Sequence, residues 1–211
     1  MKVLDLTHCI DETTMPYPGD EAAKLIPVST IEKDGFRETF IEIYSHTGTH
    51  MDSPAHMLNE SVYLDDMPAD NFCGSAYVLD CTFIEHGGEI SLSMLKEIKG
   101  LSEIDFLILS TGWEKHWGCA EYFLGFPVLS LDATNYLMTL KLKGIGMDTM
   151  SIDKMENDDF TNHIKVFENN KIIIENLCNL SGIRGKTVWF AALPMKFKYS
   201  EGAPVRAVAM E

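Results

Sequence analysis

The chain has 211 residues, 45% of them hydrophobic, with 17 basic and 32 acidic side chains for a formal net charge of −15. This length and composition suit one compact domain, spanning residues 1–211, that buries a core of its own. The acidic charge excludes a basic nucleic-acid-binding surface, and the sequence contains no run of about 18 apolar residues that would predict a membrane helix.

The amino terminus and the cysteines favour a cytoplasmic protein. The first residues become acidic at Asp5 before the apolar segment of a secretory signal develops. The five cysteines are dispersed and form no C-x-x-C pair, as is typical of reduced thiols. We therefore expect a cytoplasmic protein whose partner is a small-molecule substrate, without nucleic acid or membrane as a partner.

The first third of the chain predicts strands. Apolar and β-branched patterns place strands at 3–7, 24–31 and 35–44, with a fixed turn at 15–20 that contains two prolines and a glycine. Pro27 suggests that the second strand lies at a sheet edge. The third strand leads directly to His46, so we expect the following residues to form a loop at the end of a strand in a rigid sheet.

The remaining sequence mixes strands with helices. Strands are predicted at 76–84, 105–110, 144–149, 171–177, 188–194 and 204–209. Helices are predicted from a Ser91 cap to Lys99, from Asp132 or Thr134 to Leu142, and from Asp159 or Thr161 to about Glu168. This mixture predicts an α/β or α+β fold with a mixed sheet.

The segment from His46 to His56, H-T-G-T-H-M-D-S-P-A-H, concentrates candidate metal ligands. It holds three of the seven histidines, including His50, together with the carboxylate of Asp52. Imidazole nitrogens and a carboxylate suit zinc, manganese or iron better than calcium or magnesium. Because the residues between the first two histidines are poor helix formers, we expect a tight turn to bring those rings together.

Besides His46, His50 and Asp52, three residues are candidates for the same site. His56 suits either a fourth ligand or a general acid/base, since the near-neutral pKa of histidine favours proton transfer. Glu175 ends an apolar run, and His163 lies at the start of a predicted helix. Their positions alone leave open whether these last two are ligands or structural residues.

The pattern H-x-G-T-H-x-D-x-P-x-H at 46–56 resembles the signature of the metal-dependent cyclase-like hydrolases, a family that includes bacterial kynurenine formamidases and isatin hydrolases. Four other segments resemble family landmarks in the same order. They are Pro18-Gly19-Asp20, the G-x-D-T-x-S-I-D segment at 146–153, His163 followed twelve residues later by Glu175, and Ala203-Pro204-Val205-Arg206-Ala207. The similarity covers nearly the whole chain.

The resemblance implies a ligand set and a fold. The implied ligands are His46, His50, Asp52, His163 and Glu175, around one or two divalent ions that share Asp52, with zinc expected first and manganese second. His56 would be the proton-transfer residue. The implied fold is a compact α/β domain with a mixed, barrel-like sheet and flanking helices, assembled as a homodimer or a larger homo-oligomer.

The expected activity is hydrolysis of an amide bond, with an aryl formamide of the N-formylkynurenine type as the first substrate to test. A zinc ion activates water for attack on a carbonyl. Kynurenine formamidases typically have Trp before the P-G-D turn where this chain has Tyr17, so Tyr17 is expected near the substrate and the particular amide is open. Trp113 and Phe36 are further candidates for an aromatic pocket.

The sequence leaves three alternative functions open. The same ligands would serve the opening of a cyclic amide or a lactone. His50, Asp52 and His163 alone fit the two-histidine, one-carboxylate triad of iron(II) oxygenases, which leaves the other candidates unused. A non-catalytic metal-binding protein is the third alternative, although it would not need the acid/base group of His56.

Overall fold

The computed structural model describes residues 1–156 and 159–211. The strands of the described residues are β1 (Val3–Asp5), β2 (Lys24–Ser29), β3 (Glu38–Glu42), β4 (His50–Asp52), β5 (Cys73–Asp80), β6 (Glu89–Ile90), β7 (Phe106–Ser110), β8 (Val128–Leu129), β9 (Gly144–Met147), β10 (Ile172–Glu175), β11 (Thr187–Pro194) and β12 (Gly202–Met210). The helices are α1 (Ile31–Asp34), α2 (Leu92–Lys96), α3 (Leu131–Met138) and α4 (Thr161–Glu168).

Seven strands close into a barrel. The order is β12-β11-β5-β7-β9-β10-β4, and β4 pairs with β12 to complete the ring, while β1 adds to β12 outside it. The pairs β5–β7, β7–β9 and β9–β10 are parallel, and the remaining pairs of the ring are antiparallel. The predicted α/β fold with a mixed, barrel-like sheet is therefore confirmed.

The central parallel strands are buried on both faces. Phe106 points into the barrel, where its ring lies 5.3 Å from that of Phe190. Its neighbour Leu107 points outward and packs in a second core with Leu137 of α3 and Phe167 of α4. Alternate residues of a strand face opposite sides, so burial on both faces explains why this strand is a nearly continuous apolar run.

Strands β2 and β3 form a separate two-stranded ribbon outside the barrel. The expectation that a strand at 35–44 runs from the rigid sheet into His46 was wrong, because β3 ends at Glu42 and all five of its residues are exposed. Aromatic and β-branched residues favour an extended strand but do not specify which sheet it joins. Pro27 lies on a strand with a single pairing partner, as an edge strand requires.

Two helices are capped by residues other than those predicted. The hydroxyl of Ser130, rather than Asp132 or Thr134, accepts a hydrogen bond from the amide of Ala133 at the start of α3. Phe160 precedes α4, and Asp153 instead of Asp159 or Thr161 accepts its first amide protons. The local pattern missed Asp153 because its carboxylate reaches the helix from eight residues before the first helical position.

None of the helices in the described part of the chain combines the length and apolar character needed to cross a membrane.

Candidate metal centre and its cavity

Strand β4 carries two of the predicted ligands in the wall of the barrel. His50 and Asp52 are two residues apart, so their side chains leave the same face of the strand. Glu175 of β10 lies directly opposite His50 in the antiparallel register. The expected loop is thus only partly a loop, because residues 50–52 form a strand between β10 and β12. The pairing of β4 with β10 holds His50, Asp52 and Glu175 in a rigid frame.

His46 joins these residues through a tight turn, as expected. Gly48, at the centre of the turn, has a φ of +68°, and a Cβ atom there would lie 2.9 Å from the Ile10 side chain, so both the conformation and the space favour glycine. The turn brings the His46 ring centroid to 5.0 Å from that of His50. Nδ1 of His46 lies 2.7 Å from Oδ1 of Asp52.

His163 approaches the same cluster from the first turn of α4. Asp153 accepts hydrogen bonds from the backbone amides of Asn162 and His163 and, at 2.8 Å, from Nδ1 of the His163 ring. This bond directs the other ring nitrogen, Nε2, toward Glu175, whose Oε1 lies 3.4 Å away. One carboxylate therefore caps the helix and orients the imidazole.

The five predicted ligands form two overlapping groups whose donor atoms suit a metal cation. One group is His46, His50 and Asp52, the other is Asp52, His163 and Glu175, and the donor atoms within each lie within 4.8 Å of one another. Nε2 of His50 is 3.3 Å from Asp52 Oδ1 and 3.4 Å from Glu175 Oε2. Ligands at about 2.0–2.2 Å from an ion with tetrahedral coordination are separated by about 3.3–3.6 Å, so these two distances fit such a site.

The polar atoms of the cluster lack ordinary partners. Within the described residues, Oδ1 of Asp52, Oε1 of Glu175 and Nε2 of His46 are buried without a hydrogen bond. The Nδ1 atom of His46 lies 2.7 Å from Asp52 Oδ1, but the pair does not have the geometry of a hydrogen bond. Buried polar groups are normally satisfied. A cation held by these residues would satisfy the two carboxylates, which is the observation that supports a divalent metal at this place.

The electrostatics of the cluster also favour positive charge. Burial lowers the pKa of His163, but Asp153 and Glu175 overcome this effect and raise it to about 10. Burial likewise opposes charge on His50, yet the carboxylates beside it raise its pKa well above the usual value. The pKa of Asp52 is held well below its ordinary range by the two neighbouring imidazoles, against the effect of burial.

His56 stands beside the ligands without belonging to either group of donors. It ends a short 3-10 turn that begins at Pro54, and its ring centroid lies 4.1 Å from that of His46. Burial lowers the pKa of His56, and its net shift is downward. The imidazole is therefore neutral at neutral pH and able to accept a proton.

Two residues that sequence reasoning did not assign to the site support His50. The hydroxyl of Tyr122 donates to Oδ1 of Asn176 at 2.7 Å, and Nδ2 of Asn176 donates to the carbonyl of Gly48 at 2.8 Å. The same carbonyl accepts from Nδ1 of His50 at 2.9 Å. Asn176 follows Glu175 and could have been suspected from that position, whereas nothing in the sequence singles out Tyr122.

A cavity of about 350 Å³ opens onto the cluster. Much of its wall is apolar or aromatic, with contributions from Tyr17, Met57, Trp117, Phe123, Met150 and Phe160. Tyr17 lies at the mouth and is half exposed. The expectations for the other two aromatic candidates were wrong, because neither lines the cavity. Trp113 is buried in a small core with Phe126 and Val128, and Phe36 is exposed just after α1.

Comparison with known sequences finds a matching family model and relatives that align over nearly the whole chain. Residues 4–154 match the family model Cyclase, described as "Putative cyclase". An uncharacterized protein of Methanocaldococcus jannaschii is 30% identical over 214 residues, covering 100% of both chains. A kynurenine formamidase of Bacillus cereus is 25% identical over 206 residues, covering 97% of this chain and 95% of the other.

The fold is also found among solved structures. Isatin hydrolase A from Labrenzia aggregata, bound to benzyl benzoate, superimposes with a TM-score of 0.87 at 23% identity. The match covers 99% of this chain and 93% of the other. The likeness extends over the barrel and the elements around it.

Proposed function

The chain belongs to the Cyclase family, and from that premise we propose that it is a metal-dependent hydrolase that cleaves an amide bond, with an aryl formamide as the first substrate to test. The observation that carries the proposal is the pair of three-ligand groups sharing Asp52, with the neutral imidazole of His56 beside them. The kynurenine formamidase relative supports this choice of amide.

The ligands of the proposed metal are His46, His50, Asp52, His163 and Glu175. We propose zinc, in one or two ions, because imidazole and carboxylate donors suit it, and manganese as the second candidate. When bound, such an ion lowers the pKa of a water molecule and polarises a carbonyl group. The protein supplies the rigid strand β4, the register with β10 and the hydrogen bonds that orient the two rings.

His56 is the residue we assign to proton transfer. Its lowered pKa leaves the ring able to take a proton from the attacking water and to return it to the leaving nitrogen. The apolar cavity wall excludes water from the rest of the substrate and suits an aromatic leaving amine, with Tyr17 at the mouth.

The test joins metal analysis with hydrolysis. Protein purified without chelator is analysed for zinc, manganese and iron, and wild type, His56→Ala and His50→Ala are assayed on N-formylkynurenine and isatin. We expect His56→Ala to keep its metal and to lose about 10²–10⁴-fold in kcat, and His50→Ala to lose metal. The control is His86→Ala, since His86 is exposed and does not line the cavity.

Two results would contradict the proposal. Full activity of metal-loaded His56→Ala would remove His56 from proton transfer, and stoichiometric metal in His50→Ala would remove the ligand assignment. Turnover that stops under nitrogen and requires iron would favour an oxygenase. Metal binding without hydrolysis of any amide or cyclic amide would favour a non-catalytic protein.

We also propose that the protein acts in the cytoplasm on a small molecule, as a homodimer or a larger homo-oligomer. The dispersed cysteines support the location. Light scattering after size-exclusion chromatography is expected to give at least twice the mass of one chain, and a monomer at micromolar concentration would contradict the assembly.

A further inference from the structure

Few charged residues line the cavity outside the candidate metal-binding cluster. Apart from the metal-binding cluster and His56, the cavity is lined mainly by apolar and aromatic side chains, with the polar groups of Ser151, Tyr122 and Asn176. Among the described residues that line it, there is no lysine or arginine. Outside the cluster, the acidic residue that lines the cavity is Asp20.

Asp20 is held at the cavity mouth by the turn that also presents Tyr17. The amide of Asp20 donates a hydrogen bond to the carbonyl of Tyr17 at 2.9 Å, and Gly19 between them has a φ of +107°, a conformation that favours glycine. Both residues are exposed and line the cavity, which places them where it meets solvent. An aromatic face and a carboxylate therefore lie together at the entrance.

We propose that Asp20 is a specificity-determining residue that selects aryl amides carrying a cationic group on the side remote from the scissile bond and disfavours those carrying an anionic group there. The inference rests on the proposed amide hydrolysis. An ammonium on the substrate gains attraction from Asp20 and can also lie against the Tyr17 ring, the arrangement of a cation–π contact.

A carboxylate at the same position of the substrate has no counter-charge. The described lining residues contain no guanidinium or ammonium to receive it, and the net charge of −15 opposes the approach of anions. A neutral group should fall between the two, since the aromatic wall accepts it without an electrostatic gain or loss.

The test uses three formanilides that differ only at a para methylene, which carries an ammonium, a hydroxyl or a carboxylate. The methylene insulates the leaving amine from the substituent. For the metal-loaded wild type we expect kcat/KM to fall in the order ammonium, hydroxyl, carboxylate. Asp20→Asn should lower kcat/KM for the ammonium substrate by about 3- to 5-fold, the effect of an ion pair at an exposed site, and leave the hydroxyl substrate within about 2-fold.

The control variant is Glu97→Gln, which removes an exposed carboxylate just after α2 that does not line the cavity, and it should change none of the three values. Salt at about 0.5 M should reduce the preference in wild type, because exposed charges are screened. Calorimetric binding of the three corresponding anilines, the products, gives a readout that does not need turnover and should show the same order.

The outcomes separate this inference from the proposed function. Hydrolysis of all three formanilides with equal kcat/KM, or an unchanged ammonium-to-hydroxyl ratio in Asp20→Asn, would overturn the role of Asp20 and leave amide hydrolysis standing. Failure to hydrolyse any formanilide or N-formylkynurenine would overturn the proposed aryl-formamide activity. In that case, equal affinity for the three anilines would overturn the role of Asp20 as well.

Discussion

Two imidazoles of the ligand cluster are oriented by hydrogen bonds to the nitrogen that faces away from Glu175. Nδ1 of His50 donates to the carbonyl of Gly48, and Nδ1 of His163 donates to Asp153. In both rings this directs Nε2 at the carboxylate of Glu175 and makes it the nitrogen that faces the candidate metal site. Such outer hydrogen bonds set the tautomer and direction of metal-ligating histidines, so the residues that make them should affect metal affinity without touching the ion.

Tyr122→Phe tests this effect at a residue that donates to Asn176. Loss of the hydroxyl leaves the buried Asn176 amide oxygen without that donor and frees the side chain that holds the Gly48 carbonyl. We expect metal affinity to fall about 10-fold, measured by chelator competition. The control is Tyr136→Phe, a tyrosine of α3 that does not line the cavity. An unchanged affinity in Tyr122→Phe would show that the His50 ring is held without this network.

His8 should make stability depend on pH. Its ring stacks on Trp117 with centroids 4.0 Å apart, and burial lowers its pKa from 6.5 to about 4. Between these values the unfolded chain binds a proton that the folded chain does not, so the free energy of unfolding falls as the pH drops from 6.5 toward 4. Above pH 6.5 this contribution is constant.

His8→Phe keeps an aromatic ring against Trp117 but cannot titrate. Urea unfolding at pH 7 and pH 5 should show a loss of stability on acidification that is smaller than in wild type by an amount on the order of 1 kcal/mol. His86→Phe, at an exposed position, serves as the control. Equal losses of stability in His8→Phe and wild type would mean that folding does not lower the pKa of His8.

At the scale of the elements, the pairing of β4 with the start of β12 determines how closely His46 can approach Asp52. Gly202 pairs with Asp52 across the strand boundary that closes the barrel. A Cβ atom at Gly202 would lie 2.4–2.9 Å from atoms of the His46 ring. Only a residue without a side chain therefore allows the imidazole to lie over the backbone of β12.

Gly202→Ala should displace His46 and leave the barrel intact. We expect weaker metal binding, by about 10-fold or more, with little change in the urea midpoint of the metal-free protein. Gly182→Ala is the matched control, because a Cβ atom there meets nothing within 4 Å. If Gly202→Ala bound metal as tightly as Gly182→Ala, the ring of His46 would not contribute to the ligand set.

At the scale of the whole molecule, the barrel brings together candidate ligands that are far apart in the chain. The strand β4 is the closing strand, with β10 on one side and β12 on the other. Its central residue, Met51, points into the barrel core and is fully buried. The three residues of β4 therefore contribute to the core through Met51 and to the candidate metal site through His50 and Asp52.

Met51→Ala should cost about 2–5 kcal/mol of unfolding free energy, since it removes buried methylene and thioether contacts and leaves a cavity. Met195→Ala, at a position that is 56% exposed, should change it by less than about 0.5 kcal/mol. Both variants are measured by urea unfolding in the presence of chelator, so that metal binding does not mask the free energy lost with the packing contacts. A loss below about 1 kcal/mol in Met51→Ala would show that the barrel relaxes around the site.

The sequence by itself determined the chemistry of the donors and the class of the fold. Donor type and spacing over 46–56 were sufficient to predict that His46, His50 and Asp52 lie together, because these residues are close in the chain and a turn at Gly48 can join them. Apolar runs such as 105–110 predicted buried strands, because period and burial are local properties. The family resemblance added His163 and Glu175, which spacing alone left open.

Only the tertiary structure decided which distant residues meet. Register across the closed barrel places Glu175 opposite His50 and Gly202 opposite Asp52. Strand pairing likewise leaves β3 in the outer ribbon, and long-range contacts make Asp153 the capping residue of α4 and Trp117 a wall of the cavity. The physical reason is that these contacts depend on which strands share hydrogen bonds and on how elements pack across the core, and neither is encoded in the pattern of a single segment.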